Sequence, residues 1–333
     1  MAASRISART VRGSLVLLGI GLLGGCGGRQ SALDPAGPGA RRIAGLWWGF
    51  FAISVVVFVV VMFFVLWALV LRRGPDVTPR PGGDRAVVLA GVVVPVLVLV
   101  GVYGAGLHVM TEQRTTGHKA AFAIDVIGHD WWWEVRYPDQ RIVTANEIHI
   151  PVGRPVTVRL ATKDVIHSFW VPSLQSKTDL VPGKSNETWL LADHAGRFRG
   201  QCAEYCGLQH AGMGFVVIAD PPAVFDAWVA QESGDRTAPT TASAQRGEQV
   251  FESQSCASCH TIRGTTAGGT LGPDLTHFGS RSTLGAGVAP NDRGWLGGWI
   301  ANSQTVKPGN LMPPQPLDPQ ELRSLLDYLE GLK

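Results

Sequence analysis

Two long apolar runs near the start of the chain limit its fold more than any other feature. Leu46 to Leu71 and Ala86 to Met110 are both almost unbroken by charge. A helix of about 25 residues is longer than the roughly 30 Å hydrocarbon core of a bilayer. Pro95 and the glycines of the second run are tolerated better in membrane helices than in soluble ones. The sequence therefore predicts a transmembrane hairpin over 42–112, with spans at about 46–71 and 86–110.

Orientation follows from the flanks. Arg72, Arg73, Arg80 and Arg85 outweigh Asp76 and Asp84 in the short connection between the spans, which places that connection in the cytoplasm. Arg41 and Arg42 on the other side of the first span weaken this bias. The first 26 residues settle it independently: Arg5, Arg9 and Arg12, then the apolar Leu15 to Leu23, then Gly24-Gly25-Cys26, have the layout of a secretory signal. Leu23-Gly24-Gly25-Cys26 also resembles a bacterial lipobox, so lipidation of Cys26 is expected. Everything after about Thr111 is then extracytoplasmic. The net charge of +3 is modest, with no long Lys/Arg run, and this excludes the usual footprint of a nucleic-acid-binding protein.

Residues 120–230 read as β. Val156 to Leu160 alternates apolar and polar, and short runs at 124–127, 189–191 and 215–218 are separated by Gly, Pro, Asp and Asn. That spacing predicts a β-sandwich or Greek-key barrel. Its chemistry is concentrated at Cys202, Cys206, His210 and Met213, with His167 upstream. Soft sulfur with imidazole suits copper. Zinc would accept two cysteines and two histidines, although it gives Met213 no role. The cysteine spacing alone leaves copper, zinc and a Cys202–Cys206 disulfide open.

Further residues bear on the choice. Gly128-His129-Asp130-Trp131-Trp132-Trp133, the stretch Asp164 to Pro172, Lys177-Thr178-Asp179 and Gly200-Gln201 leading into the cysteine loop, together with the two spans, resemble cytochrome c oxidase subunit II. The resemblance implies a cupredoxin-like domain with a binuclear copper centre, CuA. Cys202 and Cys206 would bridge both coppers, His167 and His210 would bind one each, and Met213 and the Glu204 carbonyl would be weak ligands. It also implies that the Glu204 carboxylate reaches a magnesium ion shared with subunit I, and that Trp131 receives electrons near the copper. On a strand, Trp131 and Trp133 would share a face and Trp132 would point away. His129, His149 and His194 lack ligand-like neighbours and are read as surface or structural. The family often has a Glu seven residues before the proline of the second span; here that position is Val88, which cannot carry a proton.

The segment 231–243 is small, polar and aperiodic, and reads as a flexible linker. Cys256-Ala257-Ser258-Cys259-His260 follows. This is the attachment pattern of haem c, with two thiols for thioether bonds and His260 as the proximal iron ligand. Met312 in Gly309-Asn310-Leu311-Met312-Pro313-Pro314, and Leu271-Gly272-Pro273-Asp274-Leu275 before it, resemble class I cytochromes c. That resemblance makes Met312 the sixth ligand; His277 is read as a surface residue. The domain 244–333 should be helical. Asp318-Pro319-Gln320-Glu321 starts a last helix with a capping box, whose stripe is Leu322, Leu325, Leu326 and Leu329.

The fold class expected is a multidomain membrane protein: a two-helix hairpin, a cupredoxin-like Greek-key domain and an all-α cytochrome c domain. The fusion resembles subunit II of caa-type oxidases. This implies electron transfer from cytochrome c or another donor through haem c and CuA to haem a and copper B in subunit I, with other oxidase subunits as partners. The location implied is the bacterial inner membrane, with the soluble domains periplasmic. Two other readings stand beside it. One is the electron-transfer module of a nitrous-oxide-type reductase, disfavoured by Glu204 and the spans. The other is a membrane-anchored copper-delivery protein, disfavoured by His210 and Met213 in this loop.

Overall fold

The computed structural model describes residues 28, 30–71, 83–113 and 119–333. Cys26 and most of the connection between the spans lie outside the described residues. Helix α1 runs Pro38–Leu71 and helix α2 Gly83–Glu112, and both contain the predicted spans. Large side chains such as Phe58, Leu69 and Leu97 are exposed along them, as lipid-facing residues are. Within α2, Leu89–Val93 forms a π turn, and the Val94 N–H donates to the Leu89 carbonyl five residues back. The turn lies just before Pro95, which has no N–H to donate, and it re-pairs the backbone there.

The 34 residues of α1 extend for about 50 Å, longer than a hydrocarbon core. Its first turns are outside that core and dock on the β domain. Ala40 and Ala44 are buried, and the Ala40 N–H donates to Leu174 O at 3.0 Å. Arg41 pairs with Asp193, and Arg42 with Glu112 of α2 at 3.1 Å. The two arginines that blurred the orientation signal thus fasten the helices to each other and to the domain.

The β domain has two five-stranded sheets. Strands β1 (Ala123–His129), β2 (Trp132–Tyr137), β3 (Ile142–Ala145), β5 (Val156–Thr162) and β8 (Asn186–Leu190) form one, in the order β3-β2-β1-β5-β8. Strands β4 (Glu147–Pro151), β6 (His167–Trp170), β7 (Thr178–Leu180), β9 (Gly196–Cys202) and β10 (Gly214–Asp220) form the other, in the order β4-β10-β9-β6-β7. The pairs β1/β5 and β4/β10 are parallel, as Greek-key crossovers allow. Alternation along β5 buries Val156, Val158 and Leu160 and leaves Arg159 outside. The same alternation along β9 turns Phe198 and Cys202 inward and Arg197 and Arg199 outward. Trp133, Tyr137, Phe169 and Phe215 fill the space between the sheets, with Phe169 and Phe215 stacked at 4.6 Å.

Helix α3 (Pro222–Glu232) closes the domain. The linker that follows is tied down, contrary to the free tether expected from its composition. Arg263 donates to Ser233 O at 3.2 Å and to Glu232 O, and Thr237 donates to Lys333 O at 2.9 Å. His277, read from sequence as a surface residue, is 4% exposed and contacts Gly234 O at 3.2 Å. The reason lies in the linker itself, which folds back over the haem-motif domain and covers it.

That domain comprises α4 (Ala242–Ser253), α5 (Cys256–Cys259), α6 (Arg293–Val306) and α7 (Pro319–Gly331). Asp318 accepts from the Gln320 and Glu321 N–H groups, and Glu321 returns a bond to the Asp318 N–H. Leu325, Leu326 and Leu329 are buried and Leu322 is partly buried, so the stripe read from sequence faces the core.

Candidate metal and haem sites

The inward turn at the end of β9 delivers Cys202 to the rim of the sandwich, where β6 brings His167. The loop 203–213 folds back so that the Cys202 N–H donates to Met213 O at 2.9 Å, and the Ala203 N–H donates to Ser168 O at 2.9 Å. Five side chains converge. Cys202 Sγ and Cys206 Sγ are 3.7 Å apart, far beyond the ~2.05 Å of a disulfide. His167 Nδ1 is 3.9 Å from Cys202 Sγ, and His210 Nδ1 is 3.7 Å from Cys206 Sγ. Met213 Sδ is 3.9 Å from Cys206 Sγ, and the Glu204 carbonyl is 3.1 Å from Cys202 Sγ. His167, Cys202, Cys206 and Met213 are all buried. Two facing sulfurs, each with its own imidazole, plus a thioether and a carbonyl, make a donor set for soft metal.

Without metal the site holds protons unevenly. The hydrogen bond from Cys206, together with His167, lowers the Cys202 thiol to about 3, and the resulting thiolate pushes Cys206 upward. Burial alone would lower His167. Its hydrogen bonds to Asp164 and Cys202 outweigh burial and raise it to about 9.

Asp164 has a role that sequence reading missed. Its Oδ1 lies 2.8 Å from His167 Nε2, which leaves Nδ1 to face the sulfurs. The signal was present three residues upstream, but only the fold shows that Asp164 addresses the ring. Trp131 is not on a strand; it occupies the turn before β2. Its indole N–H donates to Cys206 O at 2.7 Å. Trp133 is in the core, while Trp132 stacks on His129 at 4.2 Å. His129 also meets Glu134 at 2.9 Å, and His149 meets Asp220 at 2.7 Å, so both are structural. The Glu204 carboxylate is nearly half exposed and paired with Lys177 at 3.1 Å.

In the helical domain, Cys256 and Cys259 bracket α5 and both are unpaired. His260 Nδ1 lies 2.7 Å from the Pro273 carbonyl, leaving Nε2 to ligate. Burial lowers the His260 pKa, favouring the neutral, ligating form. A Cβ at Gly272 would come within 2.6 Å of the His260 ring, so glycine is required for this approach. The backbone of Met312 is held by Ser303 Oγ at 2.7 Å and Asn310 Oδ1 at 2.8 Å, and Trp299 donates to its sulfur at 3.0 Å. A proximal imidazole held by a carbonyl, two free thiols one turn apart and a positioned thioether fit a covalently bound haem.

The fold and the two donor sets define a membrane-anchored electron-transfer protein. Residues 140–220 match the family described as cytochrome c oxidase subunit II, periplasmic domain, and residues 244–333 match cytochrome c. Cytochrome c oxidase subunit 2 of Alkalihalophilus pseudofirmus is 36% identical over 93% of this chain and 94% of its own length. The Bacillus subtilis protein of the same name is 32% identical over 94% of each. Among solved structures, the periplasmic domain of subunit II of cytochrome oxidase from Bradyrhizobium japonicum is 33% identical over 34% of this chain and 94% of that one, with a TM-score of 0.34. The chain belongs to the cytochrome c oxidase subunit II family and carries a cytochrome c domain. It is a subunit of a cytochrome c oxidase, an oxidoreductase, and its two domains imply CuA copper and haem c.

Proposed function

We propose that Cys202, Cys206, His167, His210 and Met213, with the Glu204 carbonyl, hold the copper pair, and that Cys256, Cys259, His260 and Met312 hold the haem. When bound, these groups supply one-electron chemistry that leads from cytochrome c, or another donor, towards haem a and copper B in subunit I. The chain's own residues position and insulate. Cys202 and Cys206 bind as thiolates, and Asp164 fixes the His167 ring. Burial in the sandwich keeps water from the sulfurs. The Trp131 indole, bonded to the Cys206 carbonyl, is the contact through which electrons arrive. The half-exposed Glu204 carboxylate, here paired with Lys177, would share a magnesium ion with subunit I. The membrane is the bacterial inner membrane, and the oxidase translocates protons by a route that cannot use Val88.

The observation that carries this reading is the pair of sulfurs 3.7 Å apart, each facing its own imidazole. A tag on this chain should bring subunit I out of detergent-solubilised membranes, with covalent haem c, copper and donor-driven oxygen uptake. Recovery of the chain alone, with no oxidase pigment, would overturn the assignment.

A further inference from the structure

We propose that Lys307 is the positioning residue that locks the haem-bearing domain onto the copper domain in one electron-transferring pose. This rests on the function proposed above and adds a docked geometry to it. Lys307 caps α6 and is 3% exposed. Its ammonium donates to three carbonyls: Trp131 O at 2.7 Å, Gly285 O at 2.8 Å and Gly212 O at 2.9 Å. An ammonium has three N–H donors and a neutral amine only two, so only the charged form fills this carbonyl triad, against burial that lowers the Lys307 pKa to about 7. Gly285 belongs to its own domain. Trp131 and Gly212 belong to the other, and Gly212 immediately precedes Met213.

The choice of carbonyls connects the two sites. Five residues after Lys307, the same loop presents Met312. A buried cation without acceptors is unfavourable, and Lys307 finds its full set only while the domains are docked. Around it the surfaces interlock: Gln209 donates to Pro308 O at 2.7 Å, the Gly214 N–H donates to Ala286 O at 2.9 Å, and Leu208 lies over the Gly309 backbone. A second anchor at the linker end, Arg263 on Arg141 O at 3.3 Å and the Ser282 N–H on Glu147 at 2.9 Å, hinders rotation about the lysine.

The test uses the full chain in the intact oxidase. Lys307→Met keeps the aliphatic stem and removes the ammonium. It should retain the copper and haem optical spectra, while haem-to-copper electron transfer after a reducing flash, corrected for the measured change in driving force, slows at least tenfold. Amide hydrogens around Trp131 and residues 285–288 should exchange faster. Unchanged transfer and exchange would overturn the proposal. In the unmutated protein, an amine-acylating reagent should modify Lys307 at least tenfold more slowly than the exposed Lys184 and Lys333. Equal labelling would overturn the proposal even if the variant fails to assemble. Absence of the copper or haem signatures from the unmutated protein would instead defeat the function on which the proposal rests.

Discussion

At the scale of single residues, the metal-free copper site is a proton-sharing cluster. Cys202 is a thiolate, while Cys206 and His167 carry protons, His167 up to about pH 9. A metal ligand must lose its proton. Copper loading near neutral pH should therefore release about two protons per site from these groups, and affinity should rise with pH, less steeply above about pH 9, where His167 is already neutral and only the Cys206 proton remains to be displaced. Potentiometric titration of the apo protein checks this; proton release that stays the same above and below pH 9 would contradict it. Asp164→Asn weakens the bond that aims the His167 ring. Copper affinity should fall about 10–100-fold with the haem spectrum unchanged, measured by competition with a chelator. The cluster of Cys202, Cys206, His210 and Met213 was visible in the sequence as a dense run of sulfur and imidazole, but its spacing left copper, zinc and a disulfide open, and the resemblance to the oxidase family singled out copper. The role of Asp164 was not visible, since one acidic residue in a loop gives no sign of where it points.

At the scale of elements, the helical domain depends on close helix contact. Helices α4 and α7 cross at Gly247, where a Cβ would run into the Ser324 carbonyl. Gly247→Val should destabilise this domain by about 1–3 kcal/mol, seen as a lower denaturant midpoint at the haem absorbance. The copper spectrum should persist to its usual midpoint, because the two cores are separate clusters. Equal midpoints for variant and parent would mean that α7 can move away at no cost. Elements with a strict period were readable: β5 by alternation, α7 by its capping box and leucine stripe. The turn at Trp131 was not, because three consecutive tryptophans satisfy a strand pattern equally well in either register. The π turn before Pro95 also escaped, since a proline in an apolar run predicts disruption but not its form.

At the scale of the whole molecule, two hydrophobic anchors, a sandwich and a helical domain are held in one arrangement by polar contacts that sequence cannot pair. Arg41 with Asp193, Arg263 with the linker and Lys307 with its carbonyls all join residues far apart in the chain. Composition made the linker look free, because small polar residues lack a core of their own. Its anchoring comes from a donor, Arg263, and an acceptor, Lys333 O, supplied by the next domain. The arrangement joins the loop that carries Met312 to the copper loop through one buried lysine, Lys307, which gives the fusion a purpose beyond tethering.

Quantitative metal and haem analysis of the purified oxidase, combined with electron paramagnetic resonance of its copper, tests the central claim most directly. The account predicts two coppers held by this chain with one unpaired electron shared between them, and one haem bound through Cys256 and Cys259. Zinc in the sulfur–imidazole cluster, or a cystine joining Cys202 to Cys206, would contradict it.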